Sequence, residues 1–437
     1  MSDSTSSSER TLRDRLALFR RTQASDIIKS GLPAGLRLGG AFLQLLATVL
    51  IARALGVEKA GVYFFWVAAI VEAGRVATFG LDSLSVQQLP RLKNDPVKIS
   101  AFLAPIRAIV SGIAVLLGLS LCLYAVWTGS DYPSWWYFLP VAGVVGIAIG
   151  LINGESMTGL GHPVLSIFYR HTLPTLFLII SVIVAGDRLT PNIALAAYSI
   201  GFLVVGFGVL FGPRLRELRP RLRIPRGVDL RENLKLGFPI WLSSLFTALA
   251  FIIPLVILER TQPSSEMAYF TTALRILVLF MVLATAVYSL TMPDLSRAAH
   301  EFDRKKMKSI YRSATWQGLA LLGLPSLLVI GLAEPIMVVF GEDFAAGAPT
   351  LRILIGFGVL SLAMGPAHQL LLMVGRTRQM ALFSLIHLFV AAILAFLIVP
   401  TYGPEGLAGV LGFGLLLDKI LYLWYAVRVT NNVSKEA

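Results

Sequence analysis

A single cysteine, five histidines and a charged fraction of only 14% set the first limits on this chain of 437 residues. Cys122 has no second thiol with which to form an intrachain disulfide, and it lies inside an apolar run that suggests no thiolate metal site. His162, His171, His300, His368 and His387 are not spaced as zinc ligands either, so no metal is expected. A soluble domain carries about 25% charged residues. Here 56% of the residues are apolar, mean hydropathy is +0.75, and uncharged runs recur from residue 33 to residue 428. A water-facing surface cannot hold that much apolar chain, so lipid is the solvent for most of it. The excess of 38 basic over 25 acidic side chains, a net +13, then speaks to topology and anionic headgroups, and nucleic acid is not expected as a partner.

Helices satisfy every backbone polar group in hydrocarbon from within, and one crossing takes roughly 20 apolar residues. Twelve stretches meet that need, at about 33–54, 60–80, 103–127, 135–158, 163–186, 192–212, 236–259, 267–290, 316–333, 349–374, 379–400 and 405–428. No apolar stretch precedes Arg10–Arg21, and the first long one lacks a small-residue cleavage pattern, so no cleavable signal peptide is expected. Met1–Ser8 read as disordered. Leu12, Leu16, Phe19 and Ile27 among Arg13, Arg15, Arg20 and Arg21 suit a helix lying on the membrane, and a solvated basic tail fits equally.

Basic residues are retained on the cytoplasmic side of a membrane. With the amino terminus inside, the cytoplasmic segments hold 27 of them, in Arg10–Lys29, Arg91–Lys98, Arg214–Lys235, Arg297–Arg312, Arg376 with Arg378, and Arg428 with Lys435. The outer connections hold only Lys59, Arg188 and Arg260. Tyr132, Trp135, Trp136 and Tyr137, at an outer connection, fit an interfacial aromatic belt. The longest basic connection contains Pro220, Pro225 and Gly227 and divides six spans from six. The pattern predicts a basic amino-terminal segment (1–32), a first lobe (33–212), a basic linker (213–235), a second lobe (236–428) and a tail (429–437), with both termini cytoplasmic. Leu36-Arg37-Leu38-Gly39 opens the first lobe and Leu234-Lys235-Leu236-Gly237 the second, while Gly61-Val62-Tyr63 and Ala268-Tyr269 correspond in the following spans. The predicted fold is an all-α polytopic membrane protein of two six-helix lobes, a transporter plan in which a site lies between lobes that rock. No extramembrane stretch is long enough for an enzyme domain, so no enzyme is expected.

The run Val49-Leu50-Ile51-Ala52-Arg53-Ala54-Leu55-Gly56, then Gly61-Val62-Tyr63 and Gly80-Leu81-Asp82, resembles the bacterial polysaccharide and oligosaccharide flippases, Wzx-like members of the multidrug/oligosaccharidyl-lipid/polysaccharide exporter superfamily. The second lobe is similar at Phe340-Gly341-Glu342-Asp343-Phe344, Ala348-Pro349-Thr350-Leu351, Leu372-Met373-Val374-Gly375-Arg376-Thr377-Arg378, Val399-Pro400-Thr401-Tyr402-Gly403 and Gly406-Leu407-Ala408-Gly409. That resemblance implies a V-shaped, MATE-like transporter in the bacterial inner membrane. It would move an undecaprenyl-diphosphate-linked oligosaccharide from the cytoplasmic to the periplasmic leaflet for O-antigen, capsule or exopolysaccharide synthesis, beside polysaccharide polymerase machinery. Many relatives have an acid late in the seventh span, where this chain reads Phe251-Ile252-Ile253-Pro254-Leu255, so a coupling scheme that needs that acid does not carry over.

A basic side chain at the bilayer centre costs about 2.5–3.5 kcal/mol, so several there need partners, water or an anionic ligand. Arg53, Arg107 and Arg352 lie near span ends and are expected to snorkel. Lys419 adjoins Asp418, and mutual neutralisation or a polar lobe interior is expected of that pair, with a coupling or gating role as the alternative. Arg37, Arg75, Arg170 and Arg275 remain as candidates for binding diphosphate. Arg170 and Arg275 are the deep ones, and an interfacial placement is equally open for Arg37 and Arg75. Guanidinium suits diphosphate because its planar fork donates paired hydrogen bonds and stays charged. The related peptidoglycan-precursor flippases carry arginines on their second and eighth spans, which the resemblance maps onto Arg75 and Arg275.

Glu72 precedes Arg75 by three residues on one helix face, as an internal ion pair or as a group that holds Arg75 until diphosphate arrives. It can equally take up a proton or sodium ion and couple transport to a gradient; no other cofactor is expected. Glu155 ends the fourth span, as a gating acid or simply meeting the cytoplasm, and His171 reads as a core histidine, with a contact to sugar or phosphate as the alternative. The competing readings are a cation-coupled multidrug antiporter of the same superfamily, which surplus arginine disfavours, and a membrane enzyme acting on the same lipid-linked sugar, which the short outer connections disfavour.

Overall fold

The structure is a computed structural model that describes residues 4–92, 95–129, 132–208, 230–300, 304–367 and 377–436. The helices are α1 (Ser4–Ala77), α2 (Leu81–Gln88), α3 (Pro96–Trp127), α4 (Phe138–Gly159), α5 (Pro163–Ile167), α6 (Leu173–Ala185), α7 (Pro191–Gly208), α8 (Leu230–Thr261), α9 (Ser264–His300), α10 (Arg304–Gly331), α11 (Ala333–Val338), α12 (Ala348–Ala363) and α13 (Thr377–Glu436). A π turn, Phe168–Thr172, joins α5 to α6. No strand occurs among the described residues.

Among the described residues, ten helical stretches are long and apolar enough to cross a membrane. Two of them, Gly35–Ala77 with 43 residues and Gln379–Tyr425 with 47, are double length. Hydrocarbon about 30 Å thick takes some 20 residues at about 1.5 Å each. Each long stretch is broken by a glycine with positive φ, Gly56 at 73° and Gly403 at 53°, a conformation that side chains oppose. Ten stretches with two doubled give the twelve crossings predicted, and the chain is a multi-pass, all-helical membrane protein.

Several local expectations change. α1 runs from Ser4 into the first span with no break before Gly56, so Ser4–Ser8 are helical and residues 11–28 belong to the same helix as the first span instead of forming a separate one. The third span begins earlier than its apolar run, because Asp95 caps α3 by accepting from the Val97 amide at 2.9 Å and the Lys98 amide at 3.3 Å, with Pro96 in the first turn. Those backbone donors hold the Asp95 carboxyl below its usual range. α9 and α10 likewise extend past their apolar runs through polar and basic residues, which form helix as readily as apolar ones. Residues 209–229 of the sixth span and basic linker, and 368–376 with His368 and one family landmark, lie outside the described residues.

Side chains sort as lipid solvation requires. Trp136, Phe64, Phe270 and Phe344 are buried, whereas Leu123 and Phe396 are 69% and 74% exposed on the outer faces of their helices. Trp136 departs from the predicted belt: the turn Ser134–Tyr137 stacks it on Tyr132 at 4.0 Å and sets it edge-on to Trp66 at 4.8 Å, while Trp135 stays exposed.

Within the first half α4 packs on α3 and α7; within the second, α8 packs on α13 and α9 on α10 and α12. The halves meet where α1 runs along α9 and α8, and two seams close that meeting. At the end predicted to face outward, Gly61 lies against the Ser264 backbone with no room for a side chain. The Tyr124 hydroxyl donates to Glu259 at 2.7 Å, Arg53 Nε donates to the Val339 carbonyl at 2.7 Å, and Arg260 lies 5.4 Å from the Trp127 ring. At the opposite end Trp241 Nε1 donates to the Val76 carbonyl at 3.0 Å and its ring stacks on Phe79 at 4.6 Å. That stack holds Phe79 at φ 54°, a left-handed conformation costly for an aromatic residue.

Candidate functional site

The deep arginine of the first half is positioned by irregular helix. The π turn Phe168–Thr172 inserts an extra residue into the fifth crossing, which rotates Arg170 and His171 out of ordinary helical register. The Arg170 stem lies across Gly154 of α4, where any side chain would displace it, and its guanidinium pairs with Glu155. Both partners are about a fifth exposed, so the pair is partly dry, and Arg170 Nε is buried with no hydrogen-bond partner among the described residues. Glu155 therefore does not simply meet the cytoplasm. Asp82 of α2 stands within electrostatic range of both members, and burial raises its carboxyl above the usual range.

Arg75 pairs with Glu72 at 2.7 Å across one helical turn, with the arginine 61% exposed and the carboxylate 14%. Arg37 is exposed on α1, and one turn further on Gly40 faces the π turn, about 3.4 Å from His171 for an added methyl. Arg275 is half-buried and has no ion pair among the described residues.

These four side chains act on shared neighbours. His171 feels Arg170, Arg37 and Arg75; Tyr198 feels Arg275, Arg75 and Glu72; Tyr63 feels Arg275. Arg275 comes from the second half, and Tyr63 and Tyr198 from the first, so the arginines fall into two overlapping groups, Arg37, Arg75 and Arg170 on the side of His171 and Arg75 with Arg275 on the side of Tyr198. His171 is partly buried beside the π turn, next to the first of these groups. Within the two groups, two carboxylates hold two guanidinium groups, which leaves Arg37 and Arg275 as uncompensated cations among the described residues.

The profile of the family described as "Polysaccharide biosynthesis protein" matches residues 34–299. The chain belongs to this family. The match spans all four arginines with Glu72 and Glu155, and stops short of the landmarks at 340–409. No curated protein matches the sequence closely. Among solved structures, the fold is similar to the lipid II flippase MurJ in an inward closed conformation, with TM-score 0.71 and 15% identity over 91% of this chain and 87% of that one. It is similar also to a multidrug resistance MATE family transporter of the MOP superfamily, outward-facing, with TM-score 0.66 and 15% identity over 93% and 96%. The inward-facing form of such a transporter gives 0.65 and 15% over 92% and 99%. The fold of this family member is thus the MATE-like fold expected of it, with two six-helix lobes.

The remaining candidates separate. Asp418 and Lys419 do not neutralise each other: Asp418 accepts from or donates to His387 Nδ1 at 2.8 Å, and Lys419 Nζ donates to the Gly365 carbonyl at 2.8 Å just past the end of α12. Adjacent helical residues point about 100° apart, so they serve different neighbours. Arg107 does not snorkel; it is buried, with Nε donating to Asn153 at 2.9 Å. Arg53 and Arg352 are exposed and bonded to carbonyls near helix ends. Asp82, Tyr63, Tyr198 and His387 went unread as site residues. For His387 the signal was present, an ionisable group inside the apolar run 379–400.

Proposed function

We propose that this protein flips an undecaprenyl-diphosphate-linked oligosaccharide from the cytoplasmic to the periplasmic leaflet of a bacterial inner membrane, by alternating access between its two lobes. What supports the reading is two overlapping groups of arginine, Arg37, Arg75 and Arg170 on the side of His171 and Arg75 with Arg275 on the side of Tyr198, with only two of the four paired with carboxylates. Diphosphate meets exposed Arg37 and Arg75 first, displaces Glu72, and is passed to Arg170 and then to Arg275 of the other lobe. Each exchange replaces a carboxylate or water by a phosphate oxygen, which keeps the anion solvated along its way. The sugar occupies polar space between the lobes and the polyprenyl tail stays in lipid. Both termini face the cytoplasm, where the basic connections lie. The drive is an ion gradient, no cofactor takes part, and no bond of the substrate is made or broken. The product is handed to polymerase machinery for a surface polysaccharide.

The uncompensated arginines disfavour a cation-expelling antiporter on the same frame. In reconstituted vesicles, a fluorescent undecaprenyl-diphosphate oligosaccharide should reach the far leaflet with its mass unchanged. Arg275→Ala should slow it about tenfold or more, equivalent to about 1.4 kcal/mol of lost stabilisation. Equal rates in wild type and variant would reject the assignment of the arginines, and a changed mass would indicate an enzyme.

A further inference from the structure

The second lobe holds a buried ionisable pair that the arginine site does not use. α13 turns back on itself at Gly403, and this brings His387 and Asp418 together, Nδ1 to Oδ2 at 2.8 Å. The side chains are 8% and 19% exposed. Each keeps one buried atom with no hydrogen-bond partner among the described residues, His387 Nε2 and Asp418 Oδ1. The imidazole has its place because residue 414 is glycine; any side chain there would collide with Nε2.

The surroundings are polar but uncharged. One turn before His387, the Ser384 hydroxyl lies 3.0 Å from that of Ser243 and 3.5 Å from that of Thr247, both on α8. One turn after Asp418, Tyr422 is hydrogen-bonded to Ser384 and stands near Asp418. Lys419 is the nearest cation on the same helix, and it is turned away to the Ser361 and Gly365 carbonyls of the α12 end, 5.9 Å from the Tyr288 ring of α9. Among the described residues the carboxylate therefore has the imidazole as its one basic partner in hydrogen-bond reach.

We infer that His387 and Asp418 form a proton-binding site, filled and emptied as the lobes change conformation. With Nδ1–H donated to Asp418, neutral His387 leaves the pair one negative charge and an open lone pair on Nε2. A proton taken from water onto Nε2 makes the pair an imidazolium with a carboxylate, neutral in sum. The proton leaves by the same atom when a conformation opens it to water. A closed membrane interior favours the neutral sum and a wetted one tolerates the charge, so proton occupancy and conformation bias one another.

The inference rests on the transporter reading, and its test needs no transported substrate. In protein with Cys122→Ser, spin labels on Lys59→Cys and Glu334→Cys, exposed at the predicted outer ends of the two lobes, report lobe separation in nanodiscs. Lowering the pH should exchange the two populations with a slope of about one proton. His387→Gln and Asp418→Asn should abolish that response, and 15N signals of histidine should show His387 titrating in the protein without either substitution. A response kept in both variants, an unresponsive His387, or an exchange driven by sodium at fixed pH would overturn the site. A pH response lost in both variants, in a protein that moves no lipid-linked sugar, would uphold the site and reject the substrate.

Discussion

At Arg170 the cost of placing a cation in a partly dry interior is met by one carboxylate, Glu155, and by a stem that lies along Gly154. Removing the carboxylate leaves that cation uncompensated. Glu155→Gln should therefore destabilise the protein by about 1–3 kcal/mol, the usual cost of stranding one member of a buried pair. If the guanidinium is a phosphate ligand, inorganic pyrophosphate should raise the melting temperature of Glu155→Gln more than that of wild type, because the anion takes the vacated place. A smaller rise in the variant would mean that Arg170 serves structure alone. The depth of Arg170 was legible in the sequence, since depth is a matter of counting from a span end. Its partner was not, because residues 155 and 170 meet only through the packing of α4 against the π turn. The direction of His171 was not legible for a related reason: ordinary helical register would place it differently, and nothing in the sequence announces the extra residue.

Whole elements carry the site as much as single charges do. The π turn supplies the angle and α4 supplies the groove, and the two fit only while residue 154 lacks a side chain. Gly154→Leu should push the Arg170 stem aside and cut flipping about tenfold or more, in line with the large cost of small displacements at a binding centre. Circular dichroism and reconstitution yield should stay near wild type, because the lipid-facing surfaces are untouched. Unchanged transport would show that Arg170 needs no such groove. Span positions were legible from apolar length, yet helix ends were not. Asp95 capping α3 and the basic stretches continuing α9 and α10 lie outside any hydrocarbon window, so hydropathy alone is blind to them.

Across the whole molecule, the twelve crossings followed from hydropathy because a bilayer imposes the same apolar length on every span. Contacts between the lobes obey no such rule, and neither seam was foreseen. In this conformation both are shut: Trp241 on Val76 and Phe79 at one end, Tyr124 with Glu259 and Arg53 with Val339 at the other. A headgroup passing between leaflets needs one of them to release while the other holds. These contacts are single hydrogen bonds and one aromatic stack, each contributing on the order of 1 kcal/mol, so the contacts named at each seam are weak enough to part in turn. Tyr124→Cys with Glu259→Cys, bridged by a short cleavable thiol reagent, should fix the predicted outer seam. Translocation in vesicles should then fall about tenfold or more and return when the bridge is cut. Transport that continues undiminished in fully bridged protein would show that the headgroup leaves by a path not closed by α3 and α8.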